Sequence, residues 1–248
     1  MPSFEAVEER LRHVAGRLST EITVAGENDG YPLYAMTFGR GYPLWLSAGI
    51  HGEEPGSVEG MLWWLEQHAV AWQDTYRFTV MPCLNPWGYE RGVRETADGM
   101  DPNRQFRTQN ALVQAVQATL KEGSLALDLH EDIDFHGFYM FEISDRAYYG
   151  RRIVDAIREV GPISDGTDWP EPEIEDGLAI RRAEADQSFQ QRMMEWEQWP
   201  IAFFLYRVTG HVMTFETPGR QDIMLRAAMH AKAVETALSL EVQRLKGT

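Results

Sequence analysis

Leu44-Trp-Leu-Ser-Ala-Gly-Ile-His-Gly-Glu-Glu-Pro55 is the stretch on which the reading of this chain turns. Residues 44–50 are an apolar run suited to a buried strand. Pro55, a favoured first helical residue, opens a helix predicted to reach about Gln67. His51-Gly-Glu-Glu54 lies between them. A His and a Glu three residues apart, at the mouth of a strand-to-helix turn, can close on one face of a metal ion. A catalytic zinc takes three protein ligands and keeps one position open, so a third ligand must come from elsewhere. Leu125-Ala-Leu-Asp-Leu-His130, another apolar strand ending in histidine, offers it. Glu53 competes with Glu54, but at i+2 it is expected to point away from His51. His136 is the rival of His130 and is expected instead to serve in a pocket or in structure.

Composition bounds the rest. The chain has 248 residues, 44% hydrophobic and 11% aromatic. That suffices for one large domain, and no composition break demands two, so residues 1–248 are read as a single catalytic domain. A formal net charge of -15 argues against nonspecific binding to nucleic acid or to an anionic membrane. The single cysteine, Cys83, excludes an internal disulfide framework. Its flanks, Val80-Met-Pro-Cys-Leu-Asn85, predict a buried, inert thiol. The first residues lack an apolar signal core, and no stretch approaches the ~18 apolar residues of a spanning helix. A soluble, cytoplasmic protein is expected.

Phe4, Val7, Leu11, Val14 and Leu18 recur at helical spacing. Strands are predicted at about 21–25, 31–38, 43–50, 77–85, 125–130, 138–144, 201–208 and 211–217. Helices are predicted at 55–67, 109–121, 146–159 and 221–245. Alternating strands and helices, with strands apolar nearly throughout, indicate an α/β fold with a mostly parallel sheet covered on both faces. Residues 165–199 read as an acidic insertion, a solvated loop and short helix or else a flap beside the site. Its part 165–197 carries ten acids and three arginines. Trp169, Trp196 and Trp199 are expected to be packing anchors.

Two further segments carry chemistry. Asn85-Pro-Trp-Gly-Tyr-Glu-Arg-Gly-Val-Arg94, continuing to Asp101-Pro-Asn-Arg104, is a turn-rich loop holding Arg91, Arg94, Arg104 and, just beyond, Arg107. Guanidinium groups suit an anionic substrate end or an oxyanion. A solvated basic loop is the plainer alternative. Thr214-Phe-Glu-Thr-Pro-Gly219 places Glu216 in an apolar strand, where burial raises a carboxyl pKa and suits it to general-base work. One of Asp128, Glu131 and Asp132 could orient the His130 ring.

Taken in order, His51-x-x-Glu54, Asn85-Pro-x-Gly88, Arg94, Asp101-x-Asn103-Arg104-x-Phe106, His130 and Phe215-Glu216 resemble the zinc carboxypeptidase superfamily over about residues 31–240. That superfamily includes murein-peptide amidases and the succinylglutamate desuccinylase/aspartoacylase branch. The resemblance implies a three-layer α/β/α sandwich around a mixed, mainly parallel eight-stranded sheet. It implies one zinc per chain, held by His51, Glu54 and His130. Arg94 would polarise the carbonyl and stabilise the oxyanion. Asn103 and Arg104 would clamp a free substrate carboxylate, and Glu216 would activate the zinc-bound water. The tyrosine that digestive members carry in a mobile loop is not assigned; Tyr206, on a predicted strand, is not a match. The expected activity is hydrolysis of an amide bond at the C-terminus of a small peptide. Removal of an N-acyl group from an amino acid, hydrolysis of another bond such as an ester, and a non-catalytic binding module are the alternatives.

Overall fold

The computed structural model describes residues 3–120, 122–166, 174–181 and 194–247. Eight strands form one sheet: β1 (Ile22–Asn28), β2 (Tyr31–Gly39), β3 (Tyr42–Ala48), β4 (Tyr76–Met81), β5 (Leu125–Asp132), β6 (Tyr139–Ser144), β7 (Leu178–Arg181) and β8 (His211–Pro218). Their order is β1-β2-β4-β3-β5-β8-β6-β7. The central four, β4, β3, β5 and β8, are parallel, and β7 is parallel to β6. The pairings β1/β2, β2/β4 and β6/β8 are antiparallel.

Side chains alternate across a strand, and this alternation builds two cores. Leu44 and Leu46 of β3 and Leu125, Leu127 and Leu129 of β5 pack against α1 (Phe4–Leu18), α2 (Pro55–Gln67), α6 (Gly150–Ile157) and α8 (Ile223–Lys246). Trp45, Ala126 and Val212 point the other way, onto α5 (Ala111–Thr119) and α7 (Ile201–Thr209). The short helices α3 (Ala69–Trp72) and α4 (Pro86–Arg91) and a 3-10 turn at Pro102–Arg104 complete the described elements. The parity that puts Ala126 on the α5/α7 side puts Asp128 and His130 there too. The expected three-layer α/β/α sandwich with a mixed eight-stranded sheet is what the chain adopts.

One predicted strand is a helix. Residues 201–208 form most of α7, so Tyr206 is helical and buried in the second core. The segment Ile201-Ala-Phe-Phe-Leu-Tyr is apolar all round, and period cannot separate helix from strand in such a run. Its ends decide. The side-chain oxygen of Asn103 accepts from the Ile201 amide at 2.8 Å, and Gly210 ends the helix at φ 68°. The eighth strand is instead β7, four residues inside the acidic segment. Of the rest of that segment, Trp169, Glu171 and Glu173 lie outside the described residues. Asp176 pairs with Arg151 and Arg158 at the surface. Cys83 is buried, and burial pushes its thiol far above the reactive range.

Candidate metal centre

The cleft opens beyond the C-terminal ends of the parallel strands, where open α/β sheets place ligands. Gly49 ends β3 at φ 64°, a conformation glycine adopts freely, and the chain turns so that Ile50 and His51 leave the sheet edge. Gly52 packs on the backbone of α4 so closely that a Cβ there would lie 2.0 Å from the Gly88 carbonyl carbon. His51 is thereby fixed, Glu54 stands at the N-cap of α2, and His130 comes from β5.

The three side chains meet. One ligand atom from each of His51, Glu54 and His130 lies within 4.8 Å of the others, and all three residues are buried. Glu54 Oε1 is 2.5 Å from His51 Nδ1, and Oε2 is 3.1 Å from His130 Nδ1. Each Nε2 faces a different carboxylate: His51 meets Asp101 Oδ1 at 3.2 Å, and His130 meets Asp128 Oδ2 at 2.9 Å. When each Nε2–H donates to its carboxylate, the Nδ1 lone pairs face inward, the tautomer that coordination through Nδ1 needs. Behind His130, Trp45 Nε1 donates to Ser47 Oγ at 3.0 Å, and Ser47 donates to Asp128 Oδ1 at 2.5 Å. This chain is buried throughout. Burial alone would raise the Glu54 carboxyl, but the two imidazoles overcome it and hold it well below the usual carboxylate range.

Glu216 sits beside His130 in the β5/β8 register and lines the same cleft. Burial pushes its carboxyl well above the carboxylate range; His130 opposes this, and Glu54, Asp132 and Asp128 add to it. Arg94 Nε donates to Asp101 Oδ2 at 3.0 Å, so Asp101 links the arginine to His51. Asn103 gives its side-chain oxygen to α7, which leaves its amide NH2 for the cleft. Among the described residues Arg104 makes one hydrogen bond, to the Asn103 carbonyl at 2.9 Å. The cleft holds about 410 Å³, and its lining includes Phe141, Ile143, Ala202, Phe203 and Thr214.

The structure thus brings together His51, Glu54, His130, Arg94, Asn103, Arg104 and Glu216. Glu53 is not in the donor cluster; it lines the cleft 3.5 Å from Arg94. His136 is exposed and outside the cleft lining. Arg91 stacks on Trp87, and Arg107 binds the carbonyls of Met194 and Trp196, so neither shares the cleft. Trp199 is a buried anchor, as expected, but Trp196 is half exposed and lines the cleft. Asn85 is structural: its oxygen caps α4, and its amide holds the carbonyls of Arg94 and Glu95. Tyr139, Phe141 and Ile143 were not singled out from the sequence. Their period-two spacing on one strand next to that of Glu216 is the signal that would have found them.

Residues 20–122 match the zinc carboxypeptidase family model. The match covers His51, Glu54, Arg94, Asn103 and Arg104 and ends before His130 and Glu216. No match was found among curated protein sequences. The fold is shared with a proposed metallopeptidase from Shewanella amazonensis SB2B, at 22% identity and a TM-score of 0.78, over 96% of this chain and 92% of that one. It is shared as well with a metallo-carboxypeptidase from Burkholderia cenocepacia, at 17% identity and a TM-score of 0.69, over 94% and 68%. Carboxypeptidase A from Helicoverpa armigera aligns at 12% identity and a TM-score of 0.67, over 95% and 72%. No helix among the described residues is long and apolar enough to cross a membrane. Over residues 20–122 this chain is similar in sequence to the zinc carboxypeptidase family, and it shares its fold with these metallopeptidases and carboxypeptidases.

Proposed function

We propose that the protein removes the C-terminal residue of a short peptide with a free carboxylate, and that the leaving residue is apolar. The observation that carries the reading is one cleft joining the inward-facing His51–Glu54–His130 donors, Glu216, and an arginine with no acidic partner among the described residues, Arg104. The donor set fits one zinc ion: two imidazole nitrogens whose far sides are already engaged, and a carboxylate that does not cap its own helix. Zinc bound there would act as a Lewis acid on the scissile carbonyl and on water.

The chain's own residues do the rest. Arg104 and the Asn103 amide hold the substrate carboxylate, Arg104 as a bidentate donor. The apolar wall of Phe141, Ile143, Ala202 and Phe203 receives the last side chain and presents no charged group to it. Glu216, kept basic by burial, takes a proton from the attacking water and hands it to the departing amine. Arg94 aims its guanidinium at the oxygen on which negative charge develops. The test is hydrolysis of blocked dipeptides by the zinc-loaded protein, with N-acyl amino acids and esters alongside. Release of a free C-terminal amino acid is expected. Cleavage confined to the acyl group or to the ester would refute the peptidase reading.

A further inference from the structure

Behind the cleft, a buried network joins the sequence neighbours of the metal donors and of the base. Glu131 follows His130, Thr217 follows Glu216, and Gly56 comes two residues after Glu54. By strand alternation, Glu131 and Thr217 leave the sheet on the side opposite His130 and Glu216. The Glu131 carboxylate accepts the Gly56 amide at 2.7 Å, Arg226 NH1 of α8 at 2.7 and 2.8 Å, and the Thr217 hydroxyl at 3.2 Å. The Glu131 backbone amide donates to Glu54 Oε2 at 3.1 Å. The fit at Gly56 is tight, since a Cβ there would lie 2.1 Å from Glu131 Oε1.

This arrangement answers a question raised by Glu54. A side-chain oxygen at the N-cap, ordinarily that of Ser, Thr, Asp or Asn, accepts from the amide of the second or third helical residue. Glu54 is the N-cap of α2 and makes no such bond. The amide it would take, that of Gly56, is already held by Glu131. We propose that Glu131, braced by Arg226, caps α2 in place of Glu54 and so frees the Glu54 carboxylate to face the histidines. Glu131 and Arg226 are positioning residues for the metal centre. The proposal rests on His51, Glu54 and His130 being a cation site.

The experiment is zinc affinity by competition with a chromophoric chelator, on full-length variants whose fold is checked by circular dichroism. Glu131→Ala leaves the Gly56 amide free for Glu54 and should weaken zinc binding about 10- to 100-fold, the range for partners that orient metal ligands. Glu131→Gln keeps an acceptor for that amide and should lose less. Arg226→Met should fall between wild type and Glu131→Ala. Glu142→Gln is the control for mere destabilisation: Glu142 takes the amides of Tyr149 and Gly150 at the start of α6, away from the site. It should lower the melting temperature and leave zinc affinity unchanged. Folded Glu131→Ala binding zinc within twofold of wild type would overturn the proposal. If that variant does not fold, unchanged affinity in both Arg226→Met and Glu131→Gln would overturn it. Wild-type protein that binds no zinc in the same titration would instead refute the cation site itself.

Discussion

Replacing Arg104 by alanine should weaken productive binding of substrates with a free C-terminal carboxylate and spare their amidated counterparts. The size follows from what Arg104 lacks. Its guanidinium makes one hydrogen bond, to a backbone carbonyl, and no ion pair among the described residues. Its remaining N–H donors are therefore available to a ligand. Asp101, whose carboxyl the Arg104 charge helps hold down, is engaged first by His51 and Arg94, so deleting Arg104 does not strip it of its principal partners. The loss is then that of the charge-assisted contact to substrate, about 1.5–3 kcal/mol, or roughly 10- to 150-fold in KM. An amidated substrate offers only a neutral acceptor and should lose at most about tenfold. The assay is steady-state kinetics on a blocked dipeptide and its C-terminal amide, wild type against Arg104→Ala. Equal losses on the two substrates would place Arg104 away from the carboxylate and refute the orientation proposed for the peptide.

Glu216→Gln should retain zinc and fold while kcat falls by at least about 10²- to 10⁴-fold, because the amide cannot accept the proton; zinc content and kcat measured together check it, and activity within tenfold of wild type would remove Glu216 from the base role. The apolar wall predicts that C-terminal Leu or Phe is preferred over Lys or Glu by about 10- to 200-fold in kcat/KM, the usual range for an apolar pocket; a competition assay with mixed dipeptides decides, and a preference for Lys would mean that acids lining the same cleft, Glu53, Asp132 and Asp134, outweigh the wall. His230 is held down to about 3, by burial first and by the charge of His130 second. The unfolded chain takes that proton near 6.5 and the folded chain does not, so stability is lost as pH falls from about 6.5 toward 3, by up to about 1.4 kcal/mol per pH unit. His230→Gln should flatten that limb in denaturant titrations, and an unchanged slope would show that other groups set it.

What was legible in the sequence was legible through period and order. Seven of the eight strands show as apolar runs bounded by turn residues, and their alternation with helices predicts the layered sheet. The misplaced element, 201–209, is apolar on every side, so it carried no period to read. Its first amide is taken by Asn103, about a hundred residues earlier, and no local rule reaches that far. The missed strand, β7, is four residues long in a segment whose charge suggested solvent.

The donors of the candidate metal centre could be named because each sits where a strand runs out, and the order of the motif singles out the set. Their partners were harder to name, for a geometric reason. Asp128 lies two residues before His130 on one strand, so alternation alone puts both on one face, and it could be named among three candidates. Asp101 reaches His51 across a loop of irregular backbone, which no period describes. Glu131 was the misleading case. Beside His130 it reads as a carboxylate for the same ring, yet odd and even positions on a strand part company, and it caps a helix on the opposite face. Adjacency in the chain therefore argues against contact within a strand and for contact through it. The residues following His130 and Glu216, Glu131 and Thr217, meet each other behind the sheet at 3.2 Å, while the donor and the base meet in front. A substitution on α8, remote from the cleft, should accordingly register in zinc affinity.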